Sequence, residues 1–201
     1  LSSTHIVLGH RTDPFSTFER SFARSRSLLR LFLRYRPGHL SIQTRSSLVL
    51  LVLPLLKELS EFSSITIAIE TPNDEMALRL TPELSKPSER FSAATALRRF
   101  GLEVNFQVAP LLPYARRIED VEFFAEKLVN HGDCTYVRSL ADLLQCRLRG
   151  SNSRDPEAMR LRALSRNCGI EWLRKDSANF LLDALSELGS SCLLYTSDAA
   201  D

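Results

Sequence analysis

The chain is predicted to form an α/β fold on a parallel sheet, and three observations predict it. Short apolar runs with strand-like alternation recur along it. Longer runs with helical spacing separate them. The two kinds alternate regularly, five strands to four helices, between His5 and Val137. Such alternation favours right-handed β-α-β crossovers, which lay the strands parallel and cover them with helices.

His5–Leu8 opens as a strand around Ile6, Val7 and Leu8, and Gly9 closes it. Ser16–Tyr35 carries Phe18, Phe22, Leu28, Leu29, Leu31, Phe32 and Leu33 among arginines, an apolar helical stripe with a solvated back. Pro37-Gly38 breaks it. His39–Thr44 alternates through Leu40 and Ile42 as a second strand. Leu48–Phe62 is an apolar helix with Ser46 or Ser47 as its N-cap. Ser64–Thr71 is the clearest strand, β-branched at Ile65, Ile67 and Ile69.

A polar connection marked by Pro72, Pro82 and Pro87 follows. Ser88–Phe100 reads as a helix with Ser88 as cap and Gly101 as its stop. Leu102–Ala109 alternates Val104, Phe106 and Val108 as a fourth strand. Ile118–His131 is a helix ending before Gly132, and Cys134–Val137 is a last short strand. These elements make up an expected domain over residues 1–138. Residues 139–191, with a polar break at Gly150–Pro156 and no strand signal, are expected to be a helical C-terminal extension. Residues 192–201, Cys-Leu-Leu-Tyr-Thr-Ser-Asp-Ala-Ala-Asp, resemble an in-frame sequencing adapter and are set apart from the fold.

The 201 residues suffice for one domain with a sizeable core. A net charge of +2 with 25% charged residues gives no broad nucleic-acid or membrane footprint. The arginines at 20, 24, 26, 30, 34 and 36 read first as the solvated face of a helix, so nucleic acid is not supported as a partner. The longest apolar run, Leu48–Leu56, is too short to span a bilayer and contains Pro54. No secretory leader is visible, and few, scattered cysteines fit a reducing cytoplasm. Cys134, Cys146 and Cys168 match neither zinc nor iron–sulfur spacing. There is no paired-carboxylate site, Gly-rich phosphate loop or nucleophilic triad.

Three motifs close strands: Gly9-His10-Arg11-Thr12-Asp13-Pro14-Phe15, Thr44-Arg45-Ser46 and Ala109-Pro110-Leu111-Leu112-Pro113. In a β/α barrel such ends share one face, where ligands bind. Thr12 and Asp13 offer acceptors to an ammonium, or Asp13 caps the following helix before Pro14. Arg45 offers a cation to a carboxylate, or is a strand-end surface arginine. Ala109-Pro110 offers bare backbone to a flat ring, or is a proline-stiffened loop.

With Glu19, Ser25-Arg26 and Arg90 between them, these motifs in this order resemble the spore-photoproduct-lyase-like group of radical S-adenosylmethionine (SAM) enzymes. The resemblance covers roughly residues 5–137. It implies a partial (β/α)6 TIM-like barrel carrying SAM and a 4Fe–4S cluster at its top, with an electron donor such as a flavodoxin or ferredoxin. The expected SAM-binding positions are Thr12, Asp13, Arg45, Ala68, Ala109 and Pro110. SAM's amino group would meet Thr12 and Asp13, its carboxylate or ribose Arg45, and its adenine the Ala109-Pro110 backbone. The reaction implied is reductive cleavage of SAM to a 5′-deoxyadenosyl radical that takes hydrogen from an unknown substrate.

Several positions depart from the group's pattern. Arg45 replaces a lysine, Ala68 a serine, Thr81-Pro82 a Glu-Pro pair, and Leu51-Val52 an Arg-Asp pair. The group's Cys-x3-Cys-x2-Cys cluster loop is absent from these residues. The chain is therefore expected to be a fragment, inactive alone, that starts at the barrel's second strand. His10-Arg11 stand where spore photoproduct lyase has its hydrogen-donating cysteine, which argues against thymine-dimer reversal by that route. The alternatives are a cluster-less barrel binding module and a different α/β-barrel enzyme.

Overall fold

The computed structural model describes residues 3–16, 23–114, 118–140, 143, 159–160, 162–164, 166, 176–190 and 192–194. Its strands are β1 (His5–Leu8), β2 (His39–Thr44), β3 (Ser63–Ala68), β4 (Glu103–Leu111), β5 (Cys134–Ser139) and β6 (Cys192–Leu194). Its named helices are α1 (Arg24–Arg34), α2 (Leu53–Leu59), α3 (Asp74–Leu80), α4 (Pro87–Arg99), α5 (Ile118–His131) and α6 (Asp176–Glu187).

All six strands pair in parallel in the order β1-β2-β3-β4-β5-β6. Each strand lies beside its neighbour in sequence, so every crossover advances in the same direction. With right-handed connections the helices then fall on one face of the sheet, as in part of a barrel. A doubly wound sheet would instead reverse its order midway.

Strand parity separates the two faces. Leu40 and Ile42 of β2, Ile65 and Ile67 of β3, Val104, Phe106 and Val108 of β4 and Val137 of β5 are buried in one apolar core. That core includes Leu29 and Phe32 of α1, Leu56 and Leu59 of α2, Phe91, Ala94 and Leu97 of α4 and Phe124 and Leu128 of α5. Phe91 meets Phe106 edge to face at 5.3 Å, a favoured ring geometry. The opposite face is polar. Its register rows run Gln43–Thr66–Asn105–Cys134 and, one level higher, Gln107–Tyr136 beside Ala68.

Several expectations are corrected. Leu48–Phe62 is not one α-helix but a 3-10 segment over Ser47–Val52, then α2, then a 3-10 turn over Ser60–Phe62. Pro54 has no N–H to donate to Leu50, and the Leu50 carbonyl accepts from Leu53 instead, a three-residue step. The expected N-cap holds, since Ser46 Oγ accepts from Leu48 N at 3.2 Å. The polar connection after β3 contains α3, capped by Asn73, whose Oδ1 accepts from Glu75 N at 2.9 Å and Met76 N at 3.0 Å. Asp74 and Glu75 add acidic charge to its first turn.

Ser88 does not cap α4. Its N–H and hydroxyl both donate to Asp74, whose carboxyl is held below its ordinary range; burial opposes this, but the Ser88 hydrogen bonds and nearby Lys86 and Lys127 outweigh it. Gly101, at φ 78°, ends α4, with Leu102 N donating back to Leu97 O at 3.3 Å, as a left-handed helix stop requires.

Cys192–Leu194, set apart from the fold by sequence, adds a sixth strand beside β5. Within the expected extension, α6 places Ala178, Leu181 and Leu185 in the same core as the sheet, packed on α5 and β5. The break at Gly150–Pro156, Trp172, Cys146 and Cys168, and residues 17–22 of the first expected helix, lie outside the described residues.

Candidate functional site

The C-terminal ends of β1 to β4 are laced together by polar contacts. Gly9 follows β1 at φ 100°, so close to β2 that a Cβ there would lie 2.1 Å from Gln43 O. Only glycine fits this approach. The turn that follows carries Thr12, exposed, and Asp13, half-buried. Asp13 Oδ1 accepts from Phe15 N at 2.9 Å and Thr44 Oγ1 at 2.8 Å, while Oδ2 accepts from Arg45 N at 2.6 Å. Asp13 thus turns its own loop and clamps the top of β2 to β1; among the described residues it caps no helix, since α1 starts at Arg24 with Ala23 at its N-cap.

Arg45 leaves β2 with its side chain about a third exposed, and its Nε lies 3.2 Å from Glu70 Oε1. Glu70 is buried just past β3, and its Oε2 accepts from Arg90 Nη1 at 2.7 Å. Arg90, on α4, is fully buried. Its Nε donates to Ser85 O at 2.9 Å, and its Nη1 also donates to Ala68 O. Arg90 Nη2 has no hydrogen-bond partner among the described residues. Burial alone would raise the Glu70 carboxyl, but the Arg90 and Arg45 guanidiniums outweigh it and hold it below its ordinary range. Glu70 is therefore an anion between two cations.

Ala109 and Pro110, joined by a cis peptide bond, lie just before the last residue of β4. Ile69 N donates to Gln107 O at 3.0 Å and Leu112 N to Glu70 O at 2.8 Å, while Thr71 Oγ1 donates to Pro113 O at 2.9 Å. The third motif is thereby fixed to the top of β3.

The structure thus links Asp13, Arg45 and Ala68 through one chain of contacts and brings the Ala109-Pro110 run alongside through Leu112. Thr12 stands exposed outside that chain, and His10 is exposed too. Sequence reasoning missed Glu70. Its signal was a lone carboxylate ending the most apolar strand, two residues after Ala68. The arginines at 24, 26, 30 and 34 are exposed on α1, the solvated face expected of them.

No family model matches the chain. Over 110 residues it is 29% identical to uncharacterised proteins of Mycobacterium tuberculosis (strain H37Rv) and Mycobacterium bovis, a match covering 54% of this chain and 32% of each relative. The chain thus matches about a third of the length of these curated relatives. Among solved structures, a mutant of spore photoproduct lyase superposes with a TM-score of 0.63 at 11% identity, covering 96% of this chain and 61% of that one. The chain is thus similar in fold to part of spore photoproduct lyase. Spore photoproduct lyase complexed with a dinucleoside spore photoproduct gives a TM-score of 0.59 at 12% identity, covering 96% of this chain and 61% of the lyase chain. Streptococcus suis SuiB bound to SAM gives 0.58 at 12% identity, covering 98% of this chain and 40% of SuiB. The likeness in fold agrees with the spore-photoproduct-lyase-like resemblance read from the motifs.

Proposed function

We propose that this chain is part of a radical SAM enzyme and contributes part of its SAM pocket. The observation that carries this is the laced edge itself. Asp13, Arg45 and Ala68, three positions expected to meet SAM, are joined there on a fold shared with spore photoproduct lyase and SuiB.

The residues fit SAM at its amino-acid end. Glu70 lies on the Nε side of Arg45, whose side chain is about a third exposed, and a guanidinium met at Nε keeps its Nη pair as a second donor edge. That edge suits a carboxylate, which takes two parallel hydrogen bonds from a guanidinium. Thr12 and the exposed side of its loop offer acceptors to the ammonium. The Ala109-Pro110 backbone offers a flat, side-chain-poor wall for the adenine.

The residues do not fit the cluster. The four cysteines, Cys134, Cys146, Cys168 and Cys192, lack its spacing. Among the described residues no three His, Cys, Asp or Glu side chains group as metal ligands. A cluster, and an electron donor to it, would need ligands and surface that the described residues do not supply. The described residues would bind the methionyl end of SAM and keep it oriented. Among these residues no helix is long and apolar enough to cross a membrane, and a cytoplasmic location belongs to this proposal.

The test is equilibrium dialysis of the purified chain with labelled SAM. Saturable binding is expected, weakened about tenfold or more by Arg45→Ala, the worth of one charged hydrogen-bonded contact. Absence of saturable binding, or binding indifferent to Arg45→Ala, overturns the proposal. A second reading, a cluster-less binding module, rests on Ala68 and Thr81 standing where the group has serine and glutamate. A coding sequence without a Cys-x3-Cys-x2-Cys loop would favour it.

A further inference from the structure

Arg45 is not left to find its ligand alone. Long arginine side chains sample many rotamers, and ordering one at a binding site weakens the net affinity. Here Glu70 meets the Arg45 guanidinium at Nε, which leaves the paired Nη edge as the one a ligand could take. Glu70 is itself fixed, buried against the fully buried Arg90 at 2.7 Å. Arg90 is fixed in turn by Ser85 O and Ala68 O. The chain of contacts runs from the helix layer, through the top of β3, to the one guanidinium of the pair that solvent reaches.

We infer that Glu70 is a positioning residue: it sets the orientation of Arg45 toward an anionic group of the ligand, and Arg90 anchors it. The inference rests on the SAM-pocket reading and deepens it. Glu70 touches no ligand itself. Its carboxylate receives Arg45 on one oxygen and Arg90 on the other, so it registers the site on the buried core. Removing its charge frees Arg45 to swing and leaves Arg90 without its ion-pair partner.

The experiment compares SAM with decarboxylated SAM, two probes that differ only in the carboxylate, by titration calorimetry on the 201-residue chain. The wild-type protein is expected to prefer SAM, and Arg45→Ala to abolish that preference. Glu70→Gln is expected to cut the preference about three- to tenfold while leaving affinity for decarboxylated SAM unchanged. In an Arg45→Ala background it should cut nothing further. Glu70→Asp keeps a charge for Arg90 and shortens the reach to Arg45. It carries the test if Glu70→Gln does not fold, with a reduced preference expected. A folded Glu70 variant that keeps the wild-type preference, or that weakens both probes equally, overturns the positioning role alone. Wild-type protein that binds neither probe, or both equally, overturns the SAM reading and this inference together.

Discussion

Ile42 and Gln43 are adjacent on β2 yet belong to different environments. Ile42 is fully buried and packs with Ile65 and Val104, whereas Gln43 is half-buried in a polar row with Thr66 and Asn105. The same alternation runs through β3, β4 and β5. One face of the sheet excludes water and holds the helices; the other keeps polar groups available. A TIM barrel ordinarily fills its interior with branched apolar side chains. The polar face found here marks surface that is not spent on core packing, and the arginine–glutamate cluster lies at its upper edge.

Substitutions on the two faces should separate sharply. Phe106→Ala removes a fully buried ring that meets Phe91 and is expected to cost about 3–5 kcal/mol, read from urea unfolding. A loss no larger than that of a polar-face variant would break the distinction between the faces.

Glu70 is expected to give the next largest effect, through pH. Its carboxyl is held below the ordinary value of 4.5 in the folded protein. Its stabilising contribution is therefore fully present above that value and lost as pH falls through the folded one. Urea midpoints measured from neutral pH down to about pH 3 should show Glu70→Gln less stable at neutral pH and with a shallower acid decline. An acid decline as steep as wild type would show that Glu70 is not held as an anion.

The finest test lies within β3. Ile67→Val is expected to cost about 0.5–1.5 kcal/mol. Its neighbour Thr66, half-buried on the other face, should tolerate Thr66→Ala within about 0.5 kcal/mol. Equal costs measured by thermal melts would mean that the polar face is packed against something as firmly as the apolar one.

Much of the scaffold was legible. β2 and α5 begin and end where their patterns place them, because an alternating Leu40/Ile42 run and a continuous helical stripe each have one stable solution. The regular alternation also anticipated parallel pairing. Other elements depended on contacts that periodicity does not carry. α3 is only seven residues long and is held by the Asn73 cap and by Asp74 reaching to Ser88, so its amphipathic signal is weak. The Ser47–Phe62 segment changes helix type because Pro54 withholds one donor. Cys192–Leu194 becomes a strand because β5 offers an edge.

The candidate site divides in the same way. Asp13, Arg45 and Ala109-Pro110 were visible as motif residues that end strands. Whether Asp13 served a ligand or capped a helix was open in the sequence, and the structure adds a third use, a loop clamp through Phe15, Thr44 and Arg45. Glu70 was invisible as a functional residue because its importance lies in Arg45 and Arg90, 25 residues before it and 20 after it in sequence.

By itself the sequence determined the alternation, the parity that sorts apolar from polar faces, and the glycine at the first strand end, since these follow from local sterics and burial. Only the tertiary structure decided which strand ends meet and which carboxylate faces which guanidinium. Those choices depend on register between distant segments, where a buried charge is stable only if its partner arrives at hydrogen-bonding distance.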